Sequence, residues 1–474
     1  MIQDYEMVIG LEVHVELKTS TKIFCGCSTT FGAPPNTQCC PVCTGMPGSL
    51  PVLNGQVVEY AVIAGLATGC TIATYSKQDR KNYFYPDLPK AYQISQYDLP
   101  LCSHGHLDIE TEAGSKRIGI TRIHIEEDAG KLTHVEGHGT LIDCNRCGVP
   151  LIEIVSEPDM RSAEEAKAYL QKLRAIILYT GISDCKMNEG SFRCDVNLSI
   201  RKKGSDILGT RTEMKNLNSF QNVVKAIEYE FARQVNVLDE GGQVIQETRR
   251  FDMNTGKTSS MRTKENADDY RYFPDPDLIP IVVSDTMRQD LASRIPVLPD
   301  QRKQQYQSQY GLSPLTAEVL VTRKDIADYF ETAAADTRYP LLCANLVAGE
   351  VARLTPEDQA VPIAPSHLAA LSDMLGDGKI NAGTCKKVIG QLMTEDQDPS
   401  ALIEAQGLQQ ISDETVLLPM ARTVMDQNQK AVADYRSGNT NAFHALVGQM
   451  MKSTQGKGNP QVIQRLLKGL LEDT

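Results

Sequence analysis

The chain has 474 residues, of which 41% are hydrophobic and 23% charged, and its formal net charge is −12 at pH 7. This length predicts two to four domains, and the composition excludes a disordered or collagen-like chain. The acidic balance argues against nonspecific nucleic-acid binding by bulk charge, but it permits binding through one local basic patch.

The sequence predicts a protein of the cytoplasm. No run reaches 18 apolar residues, since even residues 57–72 contain Glu59, and the N-terminus lacks the basic segment of a signal peptide. Thirteen cysteines, an odd number, favour reduced thiols with one metal site over a disulfide framework. We therefore expect neither membrane insertion nor secretion.

The first predicted element is a strand with a charged face. In residues 10–17 every odd position is aliphatic, so Glu12, His14 and Glu16 project together from the opposite face. An exposed polar face of an antiparallel sheet is the alternative, and for a single strand it is the more common arrangement. The interpretation as a functional site therefore depends on acids in other strands.

A cysteine cluster follows this strand. The pattern C-x-C, twelve residues, C-x-x-C is formed by Cys25, Cys27, Cys40 and Cys43. This spacing can place four thiolates tetrahedrally around zinc, and a closed shell predicts a structural site; reduced thiols without metal are the alternative. Cys39 leaves the third ligand ambiguous, and we prefer Cys40 because it begins a clean C-x-x-C. A second C-x-x-C, Cys144 to Cys147, has no companion pair and is interpreted as a coincidence.

Two further predicted strands carry acids in unusual positions. Residues 118–125 alternate as a strand and run into three adjacent acids, beginning with Glu126 and Glu127, which would repel one another without a positive ion nearby. Residues 149–155 resemble a strand buried on both faces, with Glu153 in the middle. A buried carboxylate is costly unless it is paired or bound to a cation.

Residues 192–198 repeat the pattern, with Arg193 and Asp195 on one face of a strand. Carboxylates and a histidine gathered from several strands suit Mg²⁺ or Mn²⁺, and such a site usually serves a phosphate-bearing substrate. No Walker lysine motif occurs, so an ATP site would be built on the sheet, with basic side chains meeting the phosphates. The candidates, each alone more commonly a solvated surface residue, are Arg80, Lys81, Lys90, Arg122, Arg193, Arg211, Lys215, Arg262 and Lys264.

Two amphipathic helices are predicted within this β-rich region. Ser162 begins a capping box, and apolar residues keep helical spacing from there to Gly181. A second helix is predicted from Ser219 to Leu238, before a Gly-Gly turn. The first part of the chain therefore combines helices and strands, as in an α+β fold.

From Ile295 onward the sequence favours helices and shows few strand signals, and a new cap signal stands at residues 411–414. We therefore predict an α+β domain over residues 1–294, an all-α domain over 295–407 and a small helical tail domain over 408–474.

Several long words of the sequence, in fixed order, resemble one protein family. They are residues 9–17, 79–90, 148–159, 215–220 and 269–274, with shorter phrases at 448–452 and 459–461. Together they are similar to the B subunits of bacterial glutamyl/aspartyl-tRNA amidotransferases, over essentially the whole chain. The resemblance implies a cradle domain related to glutamine synthetase, with a mixed or antiparallel sheet, then a helical linker domain and a helical tail that contacts tRNA.

The resemblance also implies an activity. ATP phosphorylates the side-chain carboxylate of Glu-tRNA(Gln) or Asp-tRNA(Asn), and ammonia then displaces phosphate to leave the amide. The sequence contains no G-x-S-x-G nucleophile elbow, so glutamine hydrolysis would belong to a separate amidase (glutaminase) chain, the A subunit, braced by a small C subunit. Expected cofactors are ATP, Mg²⁺ and structural Zn²⁺.

By position in the shared words, the residues that carry over as the catalytic and Mg²⁺ site are Glu12, His14, Glu127, Glu153 and Asp195. Those expected to bind the nucleotide are Glu126, Arg193, Lys81 and Lys215. Two other functions stay open at this point: an RNA-binding scaffold whose acids are structural, and an ATP-dependent ligase acting on a free amino acid.

The tail carries a local basic patch. Residues 441–470 contain no acidic side chain and have a charge of +4, contributed by Lys452, Lys457, Arg465 and Lys468. These residues are the expected tRNA contacts, whereas an ordinary solvated basic helix is the alternative. The apolar stripe of the last helix is predicted to consist of Val462, Leu466, Leu467 and Leu470.

Overall fold

The structure is a computed structural model that describes residues 2–263, 267–356 and 359–472. It divides into two compact units, residues 1–298 and residues 299–474. All strands of the described chain lie in the first unit, and the second is built from helices. The predicted change from mixed α and β structure to helices is thereby confirmed.

The strands and helices of the first unit alternate irregularly along the chain. The strands are β1 Tyr5–Glu16, β2 Thr71–Ile72, β3 Tyr75–Ser76, β4 Asp79–Asn82, β5 Tyr92–Ser95, β6 Cys102–Thr111, β7 Gly114–Glu127, β8 Lys131–Val135, β9 Gly139–Asp143, β10 Pro150–Ser156, β11 Phe192–Lys202, β12 Thr212–Lys215, β13 Glu247–Asp252, β14 Lys257–Thr263, β15 Phe273–Pro274 and β16 Ile281–Val282. The helices are α1 Gly55–Ala67, α2 Ala163–Thr180, α3 Phe220–Asp239 and α4 Asp285–Ser293.

A nine-stranded sheet organises the first unit, in the order β14-β13-β12-β11-β1-β10-β7-β6-β2. Its pairs are antiparallel except for β12 and β13. The alternation of β1 decides which face meets the helices: Leu11, Val13 and Val15 are buried in one core with side chains of α1, α2 and α3. The opposite face carries the polar residues of β1.

Both helices predicted in this unit are confirmed, with their caps. The Ser162 hydroxyl accepts from the Glu165 backbone amide at the start of α2, which ends at Gly181 in the left-handed conformation, with φ of 73°. The Ser219 hydroxyl accepts from Asn222 at the start of α3. Each cap satisfies a backbone amide that the first helical turn leaves without a partner.

The second unit consists of short helices around two hydrophobic cores. Its helices are α5 Pro299–Tyr310, α6 Pro314–Val321, α7 Lys324–Ala335, α8 Pro340–Leu346, α9 Ala352–Leu354, α10 Pro365–Gly376, α11 Ala382–Leu392, α12 Pro399–Ala405, α13 Glu414–Gln427, α14 Gln429–Arg436, α15 Asn441–Ser453 and α16 Pro460–Glu472. One core is formed by α5 to α12 and the other by α13 to α16. The division into three domains at 294 and 407 stays a prediction.

The stripe of α16 differs from the predicted one by one position. Ile463, Leu467 and Leu471 are buried, whereas Val462, Leu466 and Leu470 are half-buried at the edge of the core. The reason is that residues four apart stack along one helix face, so Leu467 is flanked by 463 and 471. In the described residues, none of the helices combines the length and the apolar character needed to cross a membrane.

Candidate metal and nucleotide site

Four polar side chains form a row across four neighbouring strands. His14 on β1 lies opposite Glu153 on β10 and Arg193 on β11, and Glu153 lies opposite His124 on β7. Directly opposed residues on one sheet face have Cβ atoms about 5 Å apart. The register alone therefore places Glu153 between two imidazoles.

Glu126 completes the first group of possible metal ligands. His14 Nε2 lies 3.5 Å from Glu126 Oε1 and 3.6 Å from Glu153 Oε2. One ligand atom from each of these three residues lies within 4.8 Å of the other two. Two carboxylates and an imidazole are a donor set that accommodates Mg²⁺ or Mn²⁺.

Glu153 of this group is held in the charged form. Burial alone would raise the pKa of Glu153, but the neighbouring His124, His14 and Lys81 hold it well below its usual range. His124 Nε2 lies 3.3 Å from Glu153 Oε2. Burial opposes protonation of this imidazole, yet Glu153 and Glu126 raise the pKa of His124 to about 9.

A second group of acids lies on the same sheet. Glu12 stands opposite Asp195, and with Glu213 of β12 they bring three carboxylate oxygens within 4.8 Å of one another. Lys215 Nζ lies 2.5 Å from Asp195 Oδ2 and 3.3 Å from Glu213 Oε1. Glu12 Oε1 accepts from Asn197 Nδ2 at 2.8 Å. Three carboxylates around one ammonium leave an excess of negative charge, which a divalent cation can neutralise.

Both groups line one cavity with a volume of about 640 Å³. Its basic lining residues are Lys81, Arg122, Arg193, Arg211 and Lys215, and its aromatic ones are Tyr83, Tyr97, Tyr270 and Tyr272. The size is that of a small-molecule site. Acids that can hold cations therefore share a cavity with basic groups that can meet phosphate oxygens.

Glu127 lies outside both groups. In β7 it has the parity of the buried Ile125, so its carboxylate leaves the sheet on the side opposite to that of Glu126. It accepts from Lys90 Nζ, and Ile94 N donates to it at 2.9 Å. The structure therefore places Glu12, His14, Glu153 and Asp195 along the cavity, and Glu126 rather than Glu127 beside them.

The basic candidates from the sequence also divide into residues that line the cavity and residues that do not. Lys81, Arg193 and Lys215 line the cavity, as do two other members of the pool. Arg80 instead pairs with Asp275 at 2.7 Å. Lys264 lies outside the described residues, as does the side chain of Arg262.

Two residues near the cavity, Glu213 and His124, were not among the predicted site residues, and a third, Glu16, has a raised pKa. Glu213 stands in a strand of four residues, too short for alternation to reveal it. His124 and Glu126 are two positions apart in β7 and point to the same face, so alternation could have identified His124 from the sequence. Glu16 shares the polar face of β1 as predicted, but burial and the adjacent Asp128 carboxyl, which accepts from Arg193 at 2.7 Å, raise the pKa of Glu16 to about 8.

The four cysteines meet at one point. One sulfur atom from each of Cys25, Cys27, Cys40 and Cys43 lies within 4.8 Å of the others. Cys39 is outside the group, and its thiol donates to the Asn36 carbonyl at 3.3 Å. A thiol hydrogen bond from Cys25 and the Cys40 backbone amide, 3.1 Å from Cys43 Sγ, lower the pKa of Cys43 to about 4. This cluster can bind a metal ion.

The second C-x-x-C forms a tight turn, in which Cys147 N donates to the Cys144 carbonyl at 3.1 Å. Among the residues that the structure describes, Cys144 and Cys147 belong to no group of three possible metal ligands. The spacing alone therefore gives no reason to place a metal there.

The basic residues of the tail differ in their partners. Arg465 of α16 pairs with Glu414 of α13, and Lys468 Nζ lies 3.9 Å from Glu472. Lys452 and Arg465 are exposed, and Lys457 is half-buried. The predicted charge of the patch is thus partly neutralised at α16 by acids that lie outside residues 441–470.

Comparison with known proteins shows similarity over almost the whole chain. Residues 7–289 match the family described as the GatB/GatE catalytic domain, and residues 328–471 match the GatB domain. Proteins named as B subunits of the aspartyl/glutamyl-tRNA(Asn/Gln) amidotransferase are similar throughout. That of Caldicellulosiruptor saccharolyticus is 56% identical over 477 residues, covering 99% of each chain. That of Geobacter sulfurreducens is 54% identical over 472 residues, covering 98% of each chain.

Proposed function

The chain belongs to the GatB/GatE family, and from this we propose that the cavity on the sheet is where an aminoacyl-tRNA carboxylate is activated by ATP. It is a B subunit of a tRNA-dependent amidotransferase, an enzyme of the ligase type that converts Glu-tRNA(Gln) or Asp-tRNA(Asn) into Gln-tRNA(Gln) or Asn-tRNA(Asn). The family uses ATP and Mg²⁺. The mechanism and the residues that follow are proposals.

The reaction has two steps. An oxygen of the side-chain carboxylate attacks the γ-phosphorus of ATP, and the bond to ADP breaks. Ammonia then attacks the carbonyl carbon of the acyl phosphate and forms the C–N bond, inorganic phosphate leaves, and loss of a proton from the nitrogen gives the amide. A carboxylate is a poor electrophile, so the first step supplies the leaving group for the second.

The chain contributes ligands and positive charge. We assign one Mg²⁺ to His14, Glu126 and Glu153, and a second to Glu12, Asp195 and Glu213. Mg²⁺ held by these residues would supply positive charge against the phosphoryl group that is transferred. Lys81, Arg193, Arg211 and Lys215 add positive charge for the phosphates. We do not include Glu127, because its carboxylate faces the other side of the sheet and binds Lys90.

The ammonia comes from another chain in this proposal. We assign glutamine hydrolysis to an amidase chain, the A subunit, and the bracing of the pair to a small C subunit. The relatives are named as B subunits, which supports an enzyme of several chains. Co-purification with both candidate partners would test this composition directly.

The observation that carries the proposed activity is the row His14–Glu153–His124, with Glu126 beside it, in a cavity that also holds the second acidic group. The test is amidation of charged tRNA by the assembled enzyme with ammonium chloride as nitrogen donor, which bypasses glutamine hydrolysis. Glu153→Gln should lower the ATP-dependent rate by about 100-fold or more. Glu110→Gln, at an exposed position of β6, is the matched control and should leave the rate unchanged.

Two other outcomes would change the assignment. A Glu153→Gln enzyme with a full amidation rate would remove this group from the mechanism. Activity on free glutamate in place of charged tRNA would instead identify a ligase for a free amino acid.

We further propose that the tail binds the tRNA backbone through Lys452, Lys457, Arg465 and Lys468. Phosphate contacts set affinity and its salt dependence without reading sequence. Glutamate substitution of all four should raise the KM for charged tRNA, flatten its salt dependence and leave glutaminase activity intact. Unchanged tRNA binding at physiological salt would instead assign the tail to stability or another partner.

We also propose that the cysteine cluster binds structural zinc. Four sulfur donors within 4.8 Å of one another support this choice, since they close a tetrahedral shell. Elemental analysis should find about one zinc per chain, and removal by a chelator should lower the stability of the fold. Unchanged stability without zinc would contradict the structural role.

A further inference from the structure

A buried lysine stands beside the cysteine cluster. Lys22 is 0% exposed, and its Nζ donates to the carbonyl oxygens of Gln38 at 2.7 Å and Cys144 at 3.3 Å. Its third contact is Cys43 Sγ at 3.6 Å. A buried ammonium is costly in the absence of a nearby negative charge, and neutral carbonyls supply only part of the compensation.

A metal-bound cysteine cluster supplies that charge. Four thiolates and one divalent cation sum to a net charge of about −2, which is unfavourable at the buried Cys43, although Cys25, Cys27 and Cys40 are only half-buried. Lys22 is placed at hydrogen-bond distance from one of the four sulfur atoms. Lys22 and Lys90 both line a small cavity of about 200 Å³, but the ammonium of Lys90 binds Glu127.

We propose that Lys22 balances the charge of the metal-bound cysteine cluster and thereby sets its affinity for zinc. This rests on the zinc assignment above and adds a positioning residue that is not itself a ligand. The same ammonium joins the cysteine loop, through Gln38, to the turn at Cys144. Ile23 N also donates to Gly148 O at 2.9 Å and Gln38 N to Asn145 Oδ1 at 2.8 Å, so several hydrogen bonds besides those of Lys22 fasten the loop to the segment that enters β10.

Hydrogen bonding alone is the competing explanation for Lys22. In that case its donors would fasten the two carbonyl groups with or without metal, and its charge would be irrelevant. Lys22→Gln separates the two roles because it keeps a donor but removes the charge. Lys22→Arg keeps the charge and several donors.

The test is the zinc affinity of the full chain, measured by competition with a chromophoric chelator. Lys22→Gln should weaken zinc binding by about tenfold or more, the range found when a residue that supports a metal ligand is removed. Lys22→Arg should retain most of the affinity. Lys18→Gln, at an exposed position four residues away, is the matched control and should bind zinc like the wild type.

Zinc-free samples give a second measurement. Charge balance predicts that zinc-free Lys22→Gln unfolds at no lower a denaturant concentration than the zinc-free wild type, since it lacks the uncompensated ammonium, whereas zinc stabilises the variant less. Equal zinc affinity of Lys22→Gln and the wild type would overturn this inference alone. A wild-type chain that binds no zinc would overturn the zinc assignment and this inference together.

Cobalt gives a reading that does not require Lys22→Gln to fold. A positive charge near a sulfur ligand stabilises its lone pairs and raises the energy of the thiolate-to-cobalt charge-transfer band. Replacing the compact ammonium by a guanidinium, which spreads its charge, should therefore move the band of cobalt-loaded Lys22→Arg to longer wavelength. A shift of the band to shorter wavelength in Lys22→Arg would overturn the inference.

Discussion

A single acid on the helical side of the sheet and a group of three acids in the cavity differ in the charged groups that surround them. Glu230 of α3 is 0% exposed, and its carboxylate receives hydrogen bonds at 2.6–3.1 Å from Arg233, Gln234, Thr212 and Thr258. Arg249 Nε lies 3.3 Å away. Two guanidinium groups thus contact one buried carboxylate, and Arg249 also pairs with Glu247. In the cavity the proportion is reversed, since Glu12, Asp195 and Glu213 surround one ammonium.

The difference teaches how to interpret a buried acid. A carboxylate whose donors all come from the chain stabilises the fold and needs nothing else. Acids that outnumber the cations beside them need a ligand to supply the missing charge. The same residue type therefore indicates structure on the helical side of the sheet and chemistry on the cavity side.

The largest expected effect is a loss of activity when an acid of the cavity is replaced. Glu12→Gln should lower ATP-dependent amidation of charged tRNA by about 1000-fold, because one of three acids around the proposed second cation is lost. The free energy of unfolding should not fall, since the substitution also relieves repulsion among the acids. Rate measurements with ammonium chloride and urea unfolding of the same samples would check both statements. A variant that lost stability and activity in parallel would contradict the comparison.

The mirror experiment removes the structural acid. Glu230→Gln should lower the free energy of unfolding by about 3 kcal/mol, because Arg233 loses its hydrogen bonds to the carboxylate and Arg249 keeps only its pair with Glu247. Urea unfolding gives the measurement, and Glu228→Gln on the exposed side of α3 is the control. Amidation per folded molecule should stay within about twofold of the wild type. A large catalytic defect in Glu230→Gln would show that the two regions are not independent.

The pH dependence of stability should follow the same carboxylate. Burial alone would raise the pKa of Glu230, but Arg233, Gln234 and Arg249 hold it below its ordinary value. Stability from a depressed pKa is complete above the unfolded value, about 4.3, and is lost as the pH falls through the folded pKa. The difference in unfolding free energy between wild type and Glu230→Gln should therefore narrow below about pH 4.3. A constant difference down to about pH 3 would contradict this.

The smallest expected effect is the stabilisation of the folded chain by Mg²⁺. Mg²⁺ at ten times its Kd should stabilise the wild-type chain by about 1.4 kcal/mol, since it binds only the folded form. Glu12→Gln should show a smaller gain, whereas Glu230→Gln should gain as much as the wild type. Thermal unfolding with and without Mg²⁺ gives the measurement. An equal gain in Glu12→Gln would place the stabilising Mg²⁺ elsewhere.

Alternation predicted the faces of single strands but not the neighbours that they meet. The pattern of β1 gave the shared face of Glu12 and His14, and the capping residues gave both ends of α2. The order β11-β1-β10-β7 depends on long-range pairing, which leaves no local signal. The approach of Glu153 to His14 and His124 could therefore not be derived from the residues around any of them.

The position of Glu127 shows how a β-bulge limits an argument from alternation. His124 and Glu126 have one parity in β7, while Ile125 and Glu127 have the other. The buried isoleucines of this strand have both parities, because a bulge near Thr121 shifts the register: Ile118 and Ile120 share the parity of Glu126, whereas Ile123 and Ile125 share that of Glu127. Parity in the sequence alone therefore does not separate Glu126 from Glu127. Glu213 gave no signal either, because β12 has four residues.

The central place of β1 in the sheet has a consequence for folding during synthesis. β1 is made first, but its partners come much later: Leu11 bonds to Ser156 across 145 positions, and Glu12 to Asn197 across 185. At ribosomal speeds this gap amounts to roughly 10 s or more. For that time an apolar strand has both edges unpaired, which favours association with other chains or with chaperones. Closure of such long loops also predicts slow refolding in isolation.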